Sequence, residues 1–114
     1  MGQDMECITV TVVEEAIEFI IYDVYVRKAG TFEQVDTLYV GQEYDIVADI
    51  INNSDCDGKA RVKIYINGDV ALDTWTLCVG RHASASVVIP SWSPTQDMVG
   101  SLQICAEIVD TERC

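Results

Sequence analysis

Apolar and polar residues alternate along most of this chain. The alternation is clearest in four segments, YDIVADIINNSD (44–55), ARVKIYINGD (60–69), SASVVIPSWSP (84–94) and GSLQICAEIVD (100–110). Successive side chains of a β-strand point to opposite faces of the sheet, so this pattern is typical of strands with one buried face. β-branched and aromatic residues, which favour strands over helices, are frequent in the same segments. The pattern therefore predicts a chain built from strands.

The alternation also predicts which side chains face the core. In 44–51 the apolar residues alternate with Asp45 and Asp49, which are expected to point outward. The predicted core faces are Tyr44, Ile46, Ala48 and Ile50; Val62, Ile64 and Ile66; Trp75, Leu77 and Val79; and Leu102, Ile104, Ala106 and Ile108. In 17–26 the same alternation sets Phe19 and Ile21 on the face opposite Ile20, Tyr22, Val24 and Val26.

Turn-forming residues separate these segments. Asn67-Gly68 predicts a tight hairpin, because both residues tolerate a positive φ. Pro90 and Pro94 are expected to end the strand that begins at Ser84, since proline donates no hydrogen bond to a central ladder. Seven or eight short strands without a convincing helix predict an all-β fold, an immunoglobulin-like two-sheet antiparallel β-sandwich.

The first 17 residues form a separate feature. Residues 1–17 are predicted to be an additional N-terminal strand, and residues 18–114 to be the sandwich domain. The apolar side chains of Ile8, Val10 and Val12 share one face of the additional strand and must be covered by something. Two alternatives remain open. The strand pairs at an edge of its own sandwich, or it completes the sheet of a neighbouring molecule by strand addition.

Composition narrows the classes of partner. The 114 residues suit one domain, and no apolar run approaches the roughly 20 residues that cross a bilayer. The formal net charge of −12 argues against nucleic-acid binding, which requires a basic face, and against anionic membranes. A basic partner, bound cations or simple solubility all fit this charge. The segment MGQDMECITV has neither a basic region nor a long apolar region of the secretory-signal type.

Several short motifs follow one another along the chain: Ile50–Asp55, Val62–Gly68, the Trp92-x-Pro94 step with Gly100, and a last strand from Ile104 to Asp110. Taken in this order, they resemble the CARDB/APHP group of immunoglobulin-like domains from bacterial and archaeal surface proteins. Ser54 stands where that group usually has glycine, and residues 1–17 precede the group's usual first strand. The resemblance covers roughly residues 18–110 and implies a sandwich with a non-enzymatic contact role.

The loop at the end of the segment 44–55 carries closely spaced carboxylates. Asn53-x-Asp55-x-Asp57-Gly58 resembles the opening of a calcium loop, because such carboxylates can surround a hard cation. An EF-hand is excluded, since Ile64 stands where a bidentate glutamate is required. A looser calcium site formed by Asp55, Asp57 and Asp110 remains a hypothesis. An ordinary turn between strands is the alternative.

No pattern in the chain predicts catalysis. There is one histidine, His82, and no motif sets a serine or cysteine nucleophile beside it. Phosphate-binding glycine loops are absent from the sequence. We therefore expect a protein that is not an enzyme and has no cofactor, apart from the hypothetical calcium ion.

Five cysteines are many for this length, and their odd number leaves at least one unpaired or joined to another chain in an oxidising compartment. The alternation predicts outward-facing Cys78 and Cys105. Cys7 and Cys114 lie near the two ends of the sequence, where they pair with each other or tie neighbouring chains together. A register error of one residue, which would place buried cysteines on the wrong face, is the alternative.

These features predict a structural or interaction subunit of a larger surface assembly, such as a virion decoration subunit, a filament or an adhesion module. Its partner is a protein, either a second copy or a larger assembly, and its place is the cell surface, the extracellular space or the virion exterior. The alternative is a module that binds calcium or carbohydrate at loops 52–58 and 93–100, with Tyr65, Trp75 and Trp92 as sugar platforms.

Overall fold

Seven β-strands account for the regular structure in the described part of the chain, which comprises residues 5–13 and 16–114 of a computed structural model. The strands are β1 (Phe19–Lys28), β2 (Gln34–Val35), β3 (Tyr44–Asn52), β4 (Gly58–Ile66), β5 (Asp69–Trp75), β6 (Ser84–Trp92) and β7 (Ile104–Arg113). A single turn of 3-10 helix, Gln96–Met98, lies between β6 and β7. The predicted all-β fold is confirmed.

The strands form two antiparallel sheets. One has the order β2-β1-β3-β6 and the other the order β5-β4-β7. The chain crosses between the sheets after β3, after β5 and after β6. This is the arrangement of strands A, B and E opposite strands C′, C and F in an immunoglobulin sandwich. The predicted two-sheet sandwich with seven to eight strands is therefore confirmed.

The two central strands supply the centre of the core. Ile46, Ala48 and Ile50 of β3 and the alternate residues of β4, Ala60, Val62 and Ile64, have no exposed surface. Each strand has a neighbour on both sides within its sheet and a second sheet above it, so its inward side chains are covered from every direction. The predicted core faces of these two strands are confirmed.

The hairpin between β4 and β5 is also where the sequence predicted it. Asn67 and Gly68 connect the two strands with φ values of 50° and 85°. Both values lie in the left-handed region, which asparagine and glycine adopt at low cost.

A bulge changes the inward face of β1. The pairing with β3 shifts between Ile21 and Asp23. Phe19 and Ile21 pack on the core before the shift, and Val24 and Val26 pack on it afterwards. The prediction that these two pairs lie on opposite faces is wrong, because one extra residue in a strand moves all later side chains to the other face.

A second bulge changes which residues of β5 face the core. The register shifts between Ile64 and Tyr65, after which Leu72 lies opposite Ile64. Leu72 therefore packs on the core, whereas Trp75 is 37% exposed and Leu77 is 89% exposed. Of the predicted core face 75–79, only Val79 is buried.

β6 does not end at its proline. The strand continues through Pro90 to Trp92, with a register shift against β3 and a φ of 50° at Ser91. β6 is an edge strand, so its outer side requires no donor from Pro90. The strand thus extends two residues beyond Pro90, and the prediction that this proline ends it is wrong.

The described residues of the predicted N-terminal strand are not part of either sheet. Residues 5–13 have no regular structure, and all of them are exposed. The chain measures 90 Å along its longest axis but only 26 and 18 Å across, whereas a ten-residue strand spans about 33 Å. In this structure residues 5–13 pair with neither sheet, so they give no support to the alternative in which the strand pairs at an edge of its own sandwich. Residues 1–4 and 14–15 of the predicted segment lie outside the described residues.

Candidate interaction site: the N-terminal arm and the open edge of β7

Residues 5–13, here called the N-terminal arm, expose an unusual amount of apolar surface. Ile8 is 88% exposed, Val10 is 69% exposed and Val12 is 89% exposed. Met5 and Val13 are similarly open, at 86% and 78%. Single exposed apolar residues are common on protein surfaces, but a contiguous run of them marks an interaction site. The arm therefore carries a contiguous apolar surface that the described sandwich does not cover.

The arm joins the sandwich at a defined place. The Thr111 hydroxyl donates to the Ile17 carbonyl at 3.4 Å, and the Glu18 backbone N–H donates to Ser54 Oγ at 2.7 Å. Ile17 also lies against Gly58, where a β-carbon would come within 2.9 Å of the Ile17 side chain. The chain thus leaves the body at the end of the sandwich where β7 finishes and β1 begins.

The asparagine at the end of β3 holds this end together. Asn52 is completely buried, and its amide donates to the carbonyls of Cys56 and Val79 at 3.0 Å each. Its carbonyl oxygen accepts from the Ser54 N–H at 2.9 Å, and Ser54 in turn receives the Glu18 N–H. The resemblance noted above includes Asn52 but predicts no such role for it, because one of the two carbonyls, that of Val79, is 27 residues away in the sequence.

The outer edge of β7 is open. β4 pairs with one side of β7, and no strand in the described residues pairs with the other side. Ile104, Ala106 and Ile108 point toward the core from β7, yet they are only partly buried. Their counterparts on β4, among them Val62, have no exposed surface. The sequence predicted that these residues face the core, but not that one side of them is uncovered.

The facing strand of the other sheet is open on the same side of the sandwich. β1 lies against β7 and pairs with β2 only at Val26 and Arg27, so its first seven residues lack an outer partner among the described strands. Two adjoining cavities, of about 510 and 780 Å³, lie at the end of this opening where β7 begins, and Val26, Val35, Leu102 and Ile104 line both of them. We call this opening the β1–β7 groove.

A second opening lies on the other side of the sandwich, between the edges of β5 and β6. It has a volume of about 520 Å³ and is lined by Leu72, Val79 and Val87 among others. Here the chain itself crosses between the sheets, and the Val79 N–H donates to the Gly58 carbonyl at 2.7 Å. Pro90 also interrupts the donors of β6. This side is therefore partly closed by the chain's own backbone.

The outer face of the sheet β5-β4-β7 is covered with paired polar groups. Arg61 binds Asp73 through two hydrogen bonds of 2.8 and 2.7 Å, which lowers the pKa of the Asp73 carboxyl. The Tyr65 hydroxyl donates to Glu107 at 2.8 Å, and this bond raises the pKa of Tyr65. Lys59 lies 3.3 Å from Glu112. This face is typical of a solvated surface.

The proposed sugar platforms do not form one surface. Tyr65 is on the outer face of its sheet in the bond just described, whereas Trp92 packs partly buried against the core. Trp75 is the most exposed of the three, and the Lys59 ammonium lies 5.8 Å from the centre of its ring. The geometry gives the carbohydrate hypothesis no support.

The carboxylates of the hypothetical calcium site have separate partners. Asp55 Oδ1 lies 2.7 Å from His82 Nε2, Asp57 Oδ1 accepts from the Arg81 N–H at 3.1 Å, and Asp110 accepts from its neighbour Thr111. No group of three or more histidine, cysteine, aspartate or glutamate side chains is placed to hold a metal ion within residues 5–13 and 16–114. The calcium hypothesis draws no support from this arrangement.

One disulfide bond joins Cys78 to Cys114, whose Cα atoms are 6.0 Å apart. Cys7 on the arm and Cys105 on β7 are exposed free thiols, and Cys56 is partly buried. Cys105 is outward, as the sequence predicted. Cys114 pairs with Cys78 rather than with Cys7, so the proposed link between the two ends of the sequence is wrong. The sequence could not show this pairing, because Cys78 lies between β5 and β6 and alternation does not predict the path of that segment.

A buried carboxylate anchors the opposite end of the sandwich. Asp45 on β3 is 6% exposed and accepts from the backbone N–H of Ser91 at 3.1 Å and of Gly30 at 3.3 Å. The Arg27 guanidinium adds a third bond at 3.2 Å. These bonds, with that from Ser91 the strongest influence, hold the pKa of Asp45 below its ordinary value although burial acts in the opposite direction.

Comparison of the chain with protein-family models, with curated proteins and with solved structures found no match. The resemblance to the CARDB/APHP group thus remains a prediction from the order of the motifs. No helix in the described part of the chain is long and apolar enough to span a membrane.

Proposed function

We propose that this chain is a structural subunit that assembles with copies of itself, and that the N-terminal arm makes the contact. The observation that carries the proposal is the arm's exposed apolar face, formed by Ile8, Val10 and Val12. These side chains alternate as in a strand, although the arm has no strand partner in its own sandwich. A segment with this pattern gains its partner when it binds another molecule.

Simple energetics favour strand pairing over loose apolar contact. Burying three such side chains contributes about 5–9 kcal/mol. Ordering the backbone of nine residues costs about 9–18 kcal/mol. Apolar burial alone does not offset this cost, so the arm also requires the regular backbone hydrogen bonds of a sheet edge. The arm therefore fits an exposed edge strand better than a flat apolar patch.

The compartment and family expectations belong to the same proposal. A disulfide bond persists in oxidising surroundings, which suits a surface assembly outside the cell or on a virion exterior. Contact modules without catalytic function are what the CARDB/APHP resemblance implies. Copies of a chain with a net charge of −12 repel one another, and salt screens this repulsion. The proposal therefore includes assembly that becomes stronger as the salt concentration rises.

Light-scattering mass in solution tests the proposal. The full-length chain is expected to form species heavier than the 12.6 kDa monomer, and a version lacking residues 1–13 is expected to remain monomeric. Val10→Asp should abolish assembly, since it places a charge on the apolar face. Thr11→Asp, on the opposite face, is the matched control and should assemble. A monomeric full-length protein at high concentration and high salt would overturn the proposal.

A further inference from the structure

We infer that the arm of one copy binds in the β1–β7 groove of a second copy and adds to β7 as an antiparallel strand. The inference rests on the proposed function and names the acceptor. It would complete the three-stranded sheet β5-β4-β7 as a four-stranded one, and it would cover the open side of the core.

The strand order shows which position is empty. In the immunoglobulin sandwich the sheet that contains strands C and F carries a further strand, G, on the outer edge of F. β4 and β7 correspond to C and F, and no described strand lies on the outer edge of β7. β7 has ten residues, and the arm has nine described ones. The vacant edge and the unpaired segment thus match in length.

The apolar faces match as well. Residues directly opposite each other in an antiparallel pair point to the same side of the sheet. The arm sets three apolar side chains at alternate positions, and β7 sets three partly buried ones at the same spacing. The register that aligns all three pairs Ile8 with Ile108, Val10 with Ala106 and Val12 with Ile104. In its centre the branched Val10 meets the small Ala106, which leaves room for it.

The chain's own β7 cannot accept the arm in this direction. Ile17 is fixed beside Thr111, near the end of β7. An antiparallel strand on the same β7 would place Val13 near Ile104, at the far end. The four residues from Val13 to Ile17 span at most about 14 Å, whereas the seven residues from Ile104 to Thr111 extend over about 23 Å. The antiparallel partner must therefore come from a second copy.

The position of the arm also sets the direction of assembly. The arm leaves its own body at the end where β7 finishes. In a copy stacked by simple translation, the part of the arm nearest its own body meets the end where that copy's β7 begins. Read from its N-terminal to its C-terminal residue, the arm then runs opposite to β7, as an antiparallel strand must. Such a contact joins two different surfaces, so repetition extends a chain of subunits rather than closing a dimer.

Cys105 offers a direct measure of the register. Its exposed thiol lies on the outward face of β7, and in the proposed register Thr11 of the arm stands directly opposite. In a Cys7→Ser background, Thr11→Cys should form a disulfide with Cys105 of another copy under mild oxidation. Thr9→Cys and Val13→Cys are matched controls on the same face. Each would lie about 7 Å further along the strand, beyond the reach of a disulfide.

The experiment mixes two proteins and follows the cross-link by gel electrophoresis without reductant, with peptide mass spectrometry to identify the bond. One carries Thr11→Cys with Cys7→Ser and Cys105→Ser, and the other carries Cys7→Ser alone. The expected result is a bond between positions 11 and 105 that forms at least several-fold faster than with the Thr9→Cys or Val13→Cys arm. Val12→Cys, which points into the groove, should not cross-link to Cys105.

The outcomes separate this inference from the proposed function. A preferred cross-link from position 9 or 13 would overturn the stated register. Arm-dependent assembly in which no arm cysteine reaches Cys105 would overturn the choice of groove, while the proposed function would stand. Absence of assembly in the full-length protein would overturn both.

Discussion

β4 and β7 are neighbours in one sheet, and their inward side chains are equally apolar, but they are buried to different degrees. Val62 and Ile64 on β4 have no exposed surface, whereas Ile104 and Ile108 on β7 are only partly buried. The difference arises because, among the described residues, β4 has a strand on each side and β7 has a strand on one side. Burial in a sandwich therefore depends on a strand's neighbours as much as on its own sequence.

Truncation of one isoleucine on each strand tests this difference in burial directly and should give the largest effect. Ile64→Ala should lower the free energy of unfolding by about 2–5 kcal/mol, because it leaves a cavity in a fully packed region. Ile108→Ala should cost clearly less in the monomer, since its side chain already contacts solvent on one side. Urea unfolding at low protein concentration measures both. Equal losses would show that β7 is as fully packed as β4.

The same pair should behave differently once the protein assembles. If the arm of another copy covers β7, the cost of Ile108→Ala should rise with protein concentration, and the cost of Ile64→Ala should not. A cost of Ile108→Ala that is independent of concentration would contradict an acceptor role for β7.

Loss of the disulfide should be the next largest effect, and it acts on the end of the strand with the open edge. Cys114→Ser should lower the free energy of unfolding by about 2–4 kcal/mol, because the unfolded chain regains the freedom of a loop between residues 78 and 114. Cys105→Ser is the matched control on β7. Its exposed thiol makes no disulfide, so its effect should stay within about 0.5 kcal/mol. Thermal or urea unfolding without reductant distinguishes the two.

The smallest effect concerns the end of the sandwich where β3 begins, and it appears in the pH dependence. The pKa of Asp45 is lowered in the folded protein, so its bonds stabilise the fold at pH above about 4. That contribution is lost as the pH falls through the lowered pKa. Asp45→Asn should therefore reduce the melting temperature at neutral pH and flatten its decline in acid. The exposed Asp69→Asn is the control and should leave the acid profile unchanged.

The sequence predicted the central strands well, because alternation is a local signal. The inward faces of β3 and β4 and the Asn67-Gly68 turn are as expected, since each depends on residues next to one another in the chain. The faces of β1 and β5 were predicted wrongly after a bulge. A bulge depends on how a strand pairs with its partner, and the residues near Tyr22 and Ala71 give no local signal of the two bulges.

The candidate site was predictable only in part. The apolar face of the arm is visible in the sequence at Ile8, Val10 and Val12, but whether it pairs within the chain depends on where the sheet edges lie. The open edge of β7 follows from the strand order, which alternation does not determine. The Cys78–Cys114 pair likewise depends on the end of β7 meeting the segment between β5 and β6.

The disulfide has a consequence for how the chain responds to cleavage. With the bond intact, residues 78–114 form a covalent ring that contains β6 of one sheet and β7 of the other. A protease that cuts once between residues 93 and 103 opens this ring but releases no fragment. The nicked protein keeps its mass, plus one water, until a reductant is added. The reductant then breaks the last covalent bond between the two pieces, and mass spectrometry shows two polypeptides whose masses identify the site of the cut. The reductant leaves the hydrogen bonds between β7 and β4 in place.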